Sequence, residues 1–141
     1  DLLKRVDIVP LPMLLAQAAL ESGWGTSRAT RELNNLFGMH ASKGQPCQMG
    51  FDSRTACIRK FSSITESVSA YLRLLNVGVY YSQFRERRAQ MREAKEALDS
   101  IKLLQALGKY NVTPTAYVQK VRDIMTKSSN LTQFAFKEEE N

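Results

Sequence analysis

The sequence predicts an α+β fold that is mostly helical, with a small β lobe inserted after the second helix. Three observations lead there. Apolar residues recur at helical spacing near the start and through the second half of the chain. That period vanishes between Leu36 and Phe61. The same interval gathers Gly38, Gly44, Pro46 and Gly50, which break helices and shape turns. A length of 141 residues fits one domain able to bury a core, with residues 1–141 as its extent.

Taken in order, Pro10 and Pro12 mark the entry to a first helix, where a missing N–H is harmless. Met13, Leu14, Leu15, Ala18, Ala19 and Leu20 then run nearly all round it, as in a central helix. Gly23 and Gly25 end it. Residues 27–33 suit a short second helix. Residues 57–61 suit a strand, with 37–41 as its partner in an irregular hairpin. A helix resumes at Thr65, capped by Ser63 or Thr65, with Val68, Tyr71, Leu72 and Leu75 as its stripe. Residues 84–97 and 99–107 read as two more helices, closed by Gly108. Thr113-Pro114 caps and opens a last one, through about Thr126. The acidic end, Glu138 to Glu140, reads as a solvated tail.

Lys and Arg outnumber Asp and Glu by 20 to 14, a net charge of +6, which favours anionic polymers as partners. No nucleic-acid motif accompanies the charge, so nucleic acid is not the expected partner. No apolar run approaches the roughly 20 residues of a membrane-spanning helix, so no membrane insertion is expected within this chain. The basic residues are scattered except for Arg85, Arg87, Arg88 and Arg92, which read as one solvated helix face. The chain opens on Asp1 with no basic leader, as expected of a mature form or a fragment of a longer precursor.

Cys47 and Cys57 are the only cysteines and build neither a C-x-x-C pair nor a zinc site; no metal site is expected. Flanking a turn-rich segment, they either close a short disulfide loop or stand as two separate thiols, and spacing leaves both open. His40, the sole histidine, lacks the partners of a nucleophilic triad and reads as a structural or surface residue in a strand.

The residues that carry chemistry lie at 16–25. Glu21 falls at the C-terminal end of the apolar helix, immediately before Gly23-Trp24-Gly25. Burial, the negative end of the helix dipole and a nearby Trp24 ring would each favour the protonated carboxyl. A carboxylic acid that keeps its proton near neutral pH is what glycoside hydrolysis needs to protonate the departing sugar oxygen. Position alone favours a helix-terminal Glu that merely faces water, and Trp24 also reads as a core anchor.

Residues 15–25, Leu-Ala-Gln-Ala-Ala-Leu-Glu-Ser-Gly-Trp-Gly, resemble the signature of the bacterial glucosaminidase family of peptidoglycan hydrolases, which includes autolysins and a flagellar hydrolase. Asn34-Asn35-Leu36-Phe37-Gly38-Met39 resembles its second motif. Phe61-Ser62-Ser63 through Glu66-Ser67 and Tyr71-Leu72 resembles a third, and Leu107-Gly108-Lys109-Tyr110 through Pro114 and Tyr117 a fourth. The resemblance spans roughly residues 11–126 and implies a lysozyme-like catalytic domain whose β lobe makes one wall of a cleft. It implies Glu21 as general acid, Tyr110 near the reaction centre, and Trp24, Asn35 and Phe37 as substrate-binding residues of the cleft floor. The implied reaction cuts the β-1,4 bond of peptidoglycan on the reducing side of N-acetylglucosamine, without metal or organic cofactor, in the periplasm or elsewhere outside the cytoplasm. Such a compartment favours the Cys47–Cys57 bridge.

The sequence departs from the family in its second carboxylate. Between Asn34 and Phe61 the only acidic residue is Asp52, at an expected turn, while Gln45 and Gln48 stand where a glutamate is expected. Asp52 is therefore a weak candidate for activating water. A lytic transglycosylase or muramidase on the same fold, or a wall-binding module without activity, also fits the pattern.

Overall fold

The computed structural model describes residues 2–51, 56–107 and 114–128. The chain divides into two compact units, one of residues 1–16 and 73–141 and one of residues 17–72, with the boundaries inside two helices. Those helices are α2 (Leu11–Ser22) and α4 (Ile64–Val77). Among the described residues the fold is mostly helical with a small antiparallel sheet, the predicted class. No helix of the described residues is long and apolar enough to cross a membrane.

The larger unit holds α1 (Leu2–Arg5), α5 (Ser82–Glu93), α6 (Ser100–Gln105) and α7 (Pro114–Lys127), with a 3-10 turn at Val79–Tyr81. Its core includes Met13, Leu75, Phe84, Met91, Leu103, Leu104, Leu107, Tyr117 and Val121. Gly78 follows α4, and the position suits glycine because a Cβ there would lie 2.5 Å from the Leu74 carbonyl oxygen. Asp99 caps α6, its Oδ1 accepting from the N–H groups of Ile101 and Lys102 at 2.9 and 3.0 Å. The helix expected over 84–97 stops at Glu93. Lys95 turns left-handed at φ 55° and the Glu96 N–H reaches the Met91 carbonyl, so a capping turn forms without glycine.

The expectation of a solvated arginine face is corrected here. Arg85 and Arg88 are buried, at 5% and 1% exposure. Arg88 donates to the carbonyls of Lys4, Asp7 and Ile8 and to Asn76 Oδ1, at 2.7–3.1 Å. Arg85 donates to the carbonyls of Leu75 and Gly78, at 3.1 and 2.8 Å. Arg92 forks onto the Asp7 carboxylate at 2.9 and 3.0 Å. Only Arg87 faces water without a partner among the described residues. Buried guanidinium groups are tolerated because each finds carbonyl or carboxylate acceptors.

The smaller unit holds α3 (Arg28–Leu33), the strands β1 (Cys47–Gln48) and β2 (Ile58–Arg59), and the start of α4. Cys47 pairs with Arg59 and Gln48 with Ile58. The strand expected over 37–41 reduces to a single bridge from His40 to the other side of Ile58, with His40 itself exposed. Gly38, at φ 64°, and the Asn35 side chain, which bonds Met39, hold the backbone out of a longer ladder. Cys47 and Cys57 are bridged, so the alternative of two thiols is settled in favour of the disulfide.

Candidate active site

The smaller unit contains most of the first motif and all of the second and third. Its α2 segment ends in a capping turn whose parts come from the sequence. The Trp24 N–H bonds the Ala19 carbonyl at 2.8 Å and the Gly23 N–H bonds that of Leu20 at 3.4 Å, with Gly23 left-handed at φ 56°. Trp24 and Gly25 continue left-handed, at φ 58° and 81°. A non-glycine residue in that region costs about 1–2 kcal/mol, so something must hold Trp24 there. Ser22 does so. Its hydroxyl, 1% exposed as a residue, donates to the Ala18 carbonyl at 2.6 Å and accepts the Gly25 N–H at 2.8 Å. The turn then feeds α3, where Ser27 Oγ accepts the Thr30 N–H.

The result is a half-buried Glu21 in the last turn of α2, followed by a Trp24 that is 63% exposed. The core-anchor role for Trp24 is thereby replaced by an indole presented to solvent. Glu21 Oε2 lies 4.0 Å from the place a Cβ would take on Gly38. Gly38 thus forms a flat bed for the carboxylate, and any side chain there would touch it.

The second motif supplies the scaffold of that bed. Asn34 turns left-handed at φ 53° and donates to the Phe61 carbonyl at 3.1 Å. Asn35, 1% exposed, accepts the Met39 N–H at 2.9 Å and donates to the carbonyls of Met39 and Arg59, each at 2.8 Å. Its amide is committed to the backbone of residues 39 and 59 and presents no polar atom outward. Phe37, 2% exposed, stacks on Tyr71 of the third motif, with ring centroids 4.1 Å apart and planes 13° off parallel. Both residues, expected as substrate-binding, therefore lie beneath the surface.

The third motif caps α4. Ser63 Oγ accepts the Glu66 N–H at 3.0 Å, and Glu66 accepts in return from the Ser62 hydroxyl and N–H. Those bonds from Ser62, with a smaller contribution from Arg59, hold the Glu66 carboxyl below the usual range against a small opposing effect of burial. Ser67 Oγ accepts the Leu36 N–H at 3.4 Å.

Asp52 and Tyr110 lie outside the described residues, as do residues 108–113 of the fourth motif. Leu107 and Tyr117 of that motif are buried in the larger unit. Three residues escaped the sequence reading. Ser22 and Gly38 were visible only as members of motifs, the first as a turn residue and the second as a helix breaker. Arg28 pairs locally with Glu32, but its guanidinium also lies 4.4 Å from the Phe51 ring centroid, a contact with no local signal because the ring is distant in sequence.

Known proteins resemble the chain in sequence and fold. The chain is 41% identical over 135 residues to Protein bax of Escherichia coli, covering 96% of this chain and 43% of that protein, so it spans less than half of that relative's length. The catalytic domain of the autolysin Auto from Listeria monocytogenes superposes with a TM-score of 0.60 at 25% identity, covering 87% of this chain and 73% of that one. A glycoside hydrolase domain of FlgJ from Salmonella typhimurium superposes with a TM-score of 0.55 at 26% identity, covering 84% and 83%. Residues 1–130 match the family model described as mannosyl-glycoprotein endo-beta-N-acetylglucosaminidase. Four ordered motifs and their shared fold lead to one conclusion: the chain belongs to the glucosaminidase family.

Proposed function

We propose that the chain hydrolyses peptidoglycan outside the cytoplasm, cutting the β-1,4 bond on the reducing side of N-acetylglucosamine with Glu21 as general acid. The observation that carries this reading is the placement of Glu21, half-buried over the side-chain-free Gly38 and followed by an exposed Trp24. Glu21 gives its proton to the departing glycosidic oxygen, and water adds to the anomeric carbon. Trp24 offers an apolar face to a sugar ring. Ser22, Asn35 and Phe37 position these groups through the capping turn and the backbone beneath it. Tyr110 stabilises the reaction centre with the substrate's own acetamido group, and Asp52 assists the water weakly. The resemblance to the family supports the role of Tyr110, and Asp52 is named because it is the only acidic residue between Asn34 and Phe61.

The test is reducing-end release from purified sacculi by Glu21→Gln, Tyr110→Phe and Asp52→Asn, each checked for folding by circular dichroism. Loss of a general acid lowers the rate about 10²–10⁴-fold, so Glu21→Gln is expected to be the most damaging, then Tyr110→Phe, then Asp52→Asn. Turnover by folded Glu21→Gln within about threefold of the parent would remove Glu21 from the role. Product ends identify the bond: reducing N-acetylglucosamine agrees with the proposal, whereas anhydro-muramic ends identify a lytic transglycosylase.

A further inference from the structure

The larger unit carries a polar groove between α5 and α6 that the glycosidic chemistry does not use. Its volume is about 450 Å³, within the roughly 300–1,000 Å³ of ligand sites. Gln83, Glu86, Arg87 and Gln90 line it from one face of α5, and Lys102 and Gln105 line it from α6.

The charges in this groove are unequally committed. Glu86 is bound through both carboxylate oxygens to Lys4 Nζ at 2.9 Å. Arg87 and Lys102 have no side-chain partner among the described residues. The groove therefore offers two cations and three carboxamides, each amide able both to donate and to accept. Among the described residues no aromatic side chain lines it, so these residues offer no flat apolar face on which a sugar ring stacks. Amides that read a peptide backbone, beside cations that read carboxylates, match a short acidic peptide.

We propose that this groove is a binding site for the carboxylate-bearing stem peptides of peptidoglycan, with Arg87 and Lys102 as the anion-recognising residues. The proposal rests on the reading of the chain as a peptidoglycan hydrolase and deepens it. The site adds affinity for peptide-bearing strands and takes no part in bond cleavage. It also gives a use to Arg87, which points outward from a helix whose Arg85 and Arg88 are buried.

The test compares the parent chain with R87E/K102E and with the milder R87Q/K102Q, all confirmed folded. Two substrates are used: intact sacculi, and glycan strands stripped of their peptides by an amidase. Exposed ion pairs are individually weak, so reversing both charges is expected to raise KM for sacculi about tenfold with kcat unchanged. Turnover of stripped strands stays at the parent value. A second arm needs no catalysis: a synthetic peptide with two carboxylates is titrated against each protein, beside the same peptide amidated. Binding of the acidic form by the parent, weakened in both variants and by added salt, is the expected result. Equal binding of the amidated peptide, equal affinity in parent and R87E/K102E, or parallel loss on both polymers overturns the proposal. An inactive parent that still binds the acidic peptide through Arg87 and Lys102 would refute the hydrolase reading and leave the groove standing.

Discussion

In each unit of the molecule a buried polar side chain gathers several backbone groups, some distant in sequence, and the two do so with different chemistry. In the larger unit Arg88 gathers the carbonyls of Lys4, Asp7 and Ile8, 80–84 residues away, and its charge is balanced by Asp7, 3.8 Å from Nε. In the smaller unit the neutral Asn35 bonds residues 39 and 59 with its own donor and acceptor. A guanidinium only donates, so it must import carbonyls and a carboxylate; an amide satisfies N–H and C=O groups alike. The lesson is one of cost. Removing Arg88 orphans several acceptors together with part of an ion pair. Removing Asn35 takes a partner from the Met39 N–H and the Arg59 carbonyl, while the Met39 carbonyl keeps the Arg59 N–H.

The largest expected effect is therefore at Arg88. Arg88→Met keeps an unbranched apolar stem without the guanidinium and is expected to lower unfolding free energy by about 3–5 kcal/mol, read from the denaturant midpoint. A loss below about 1 kcal/mol would show that apolar contacts, not the guanidinium, hold residues 4–8. Asn35→Ala is expected to cost about 2–3 kcal/mol, with faster hydrogen exchange at the amides of Met39 and Arg59 and unchanged exchange at Ile8. A cost above that of Arg88→Met would reverse the comparison.

The smallest effect is on pH dependence, and it belongs to the charged tie. Burial pushes the Asp7 carboxyl up, but the hydrogen bonds from Arg92 and the Ile8 N–H and the charges of Arg92 and Arg88 outweigh it, holding Asp7 below its ordinary 3.8. A depressed carboxylate contributes stability that is present above its unfolded value and lost as pH falls through the folded one. Stability should thus decline as pH drops below about 4, with Asp7→Asn flattening the slope. The amide of Asn35 does not titrate. Glu66, also held below its usual range, adds a separate acid response to the smaller unit, so the slope left in Asp7→Asn is expected to fall further in Asp7→Asn with Glu66→Gln. An unchanged slope in Asp7→Asn would mean that Arg88 and Arg92 do not need their counter-ion.

Much of the site was legible from local chemistry. The Gly23-Trp24-Gly25 turn, the Ser63 cap, the Asp99 helix start and Pro114 at the head of α7 all follow from short-range preferences, and the structure has each of them. Glu21 was singled out by its place at the end of an apolar helix, but its bed on Gly38 required the chain to return 17 residues later. The strand over 37–41 failed because periodicity cannot register that a buried amide has taken up the backbone it would need.

The arginines mark the border between what sequence determines and what tertiary structure decides. Helical spacing alone pointed to a helix over residues 84–97; the structure has it at Ser82–Glu93 with Phe84 and Met91 buried, and Arg88 falls on that same stripe. Yet a cation on an apolar face reads as solvated, since burying an unpaired charge costs far more than helical packing returns. Only the folded chain brings Lys4, Asp7, Ile8 and Asn76 to it. Local sequence fixes which way the backbone coils because that depends on neighbours within a few residues. Whether a charge is buried depends on partners 80 residues away, and these exist only once the fold has formed.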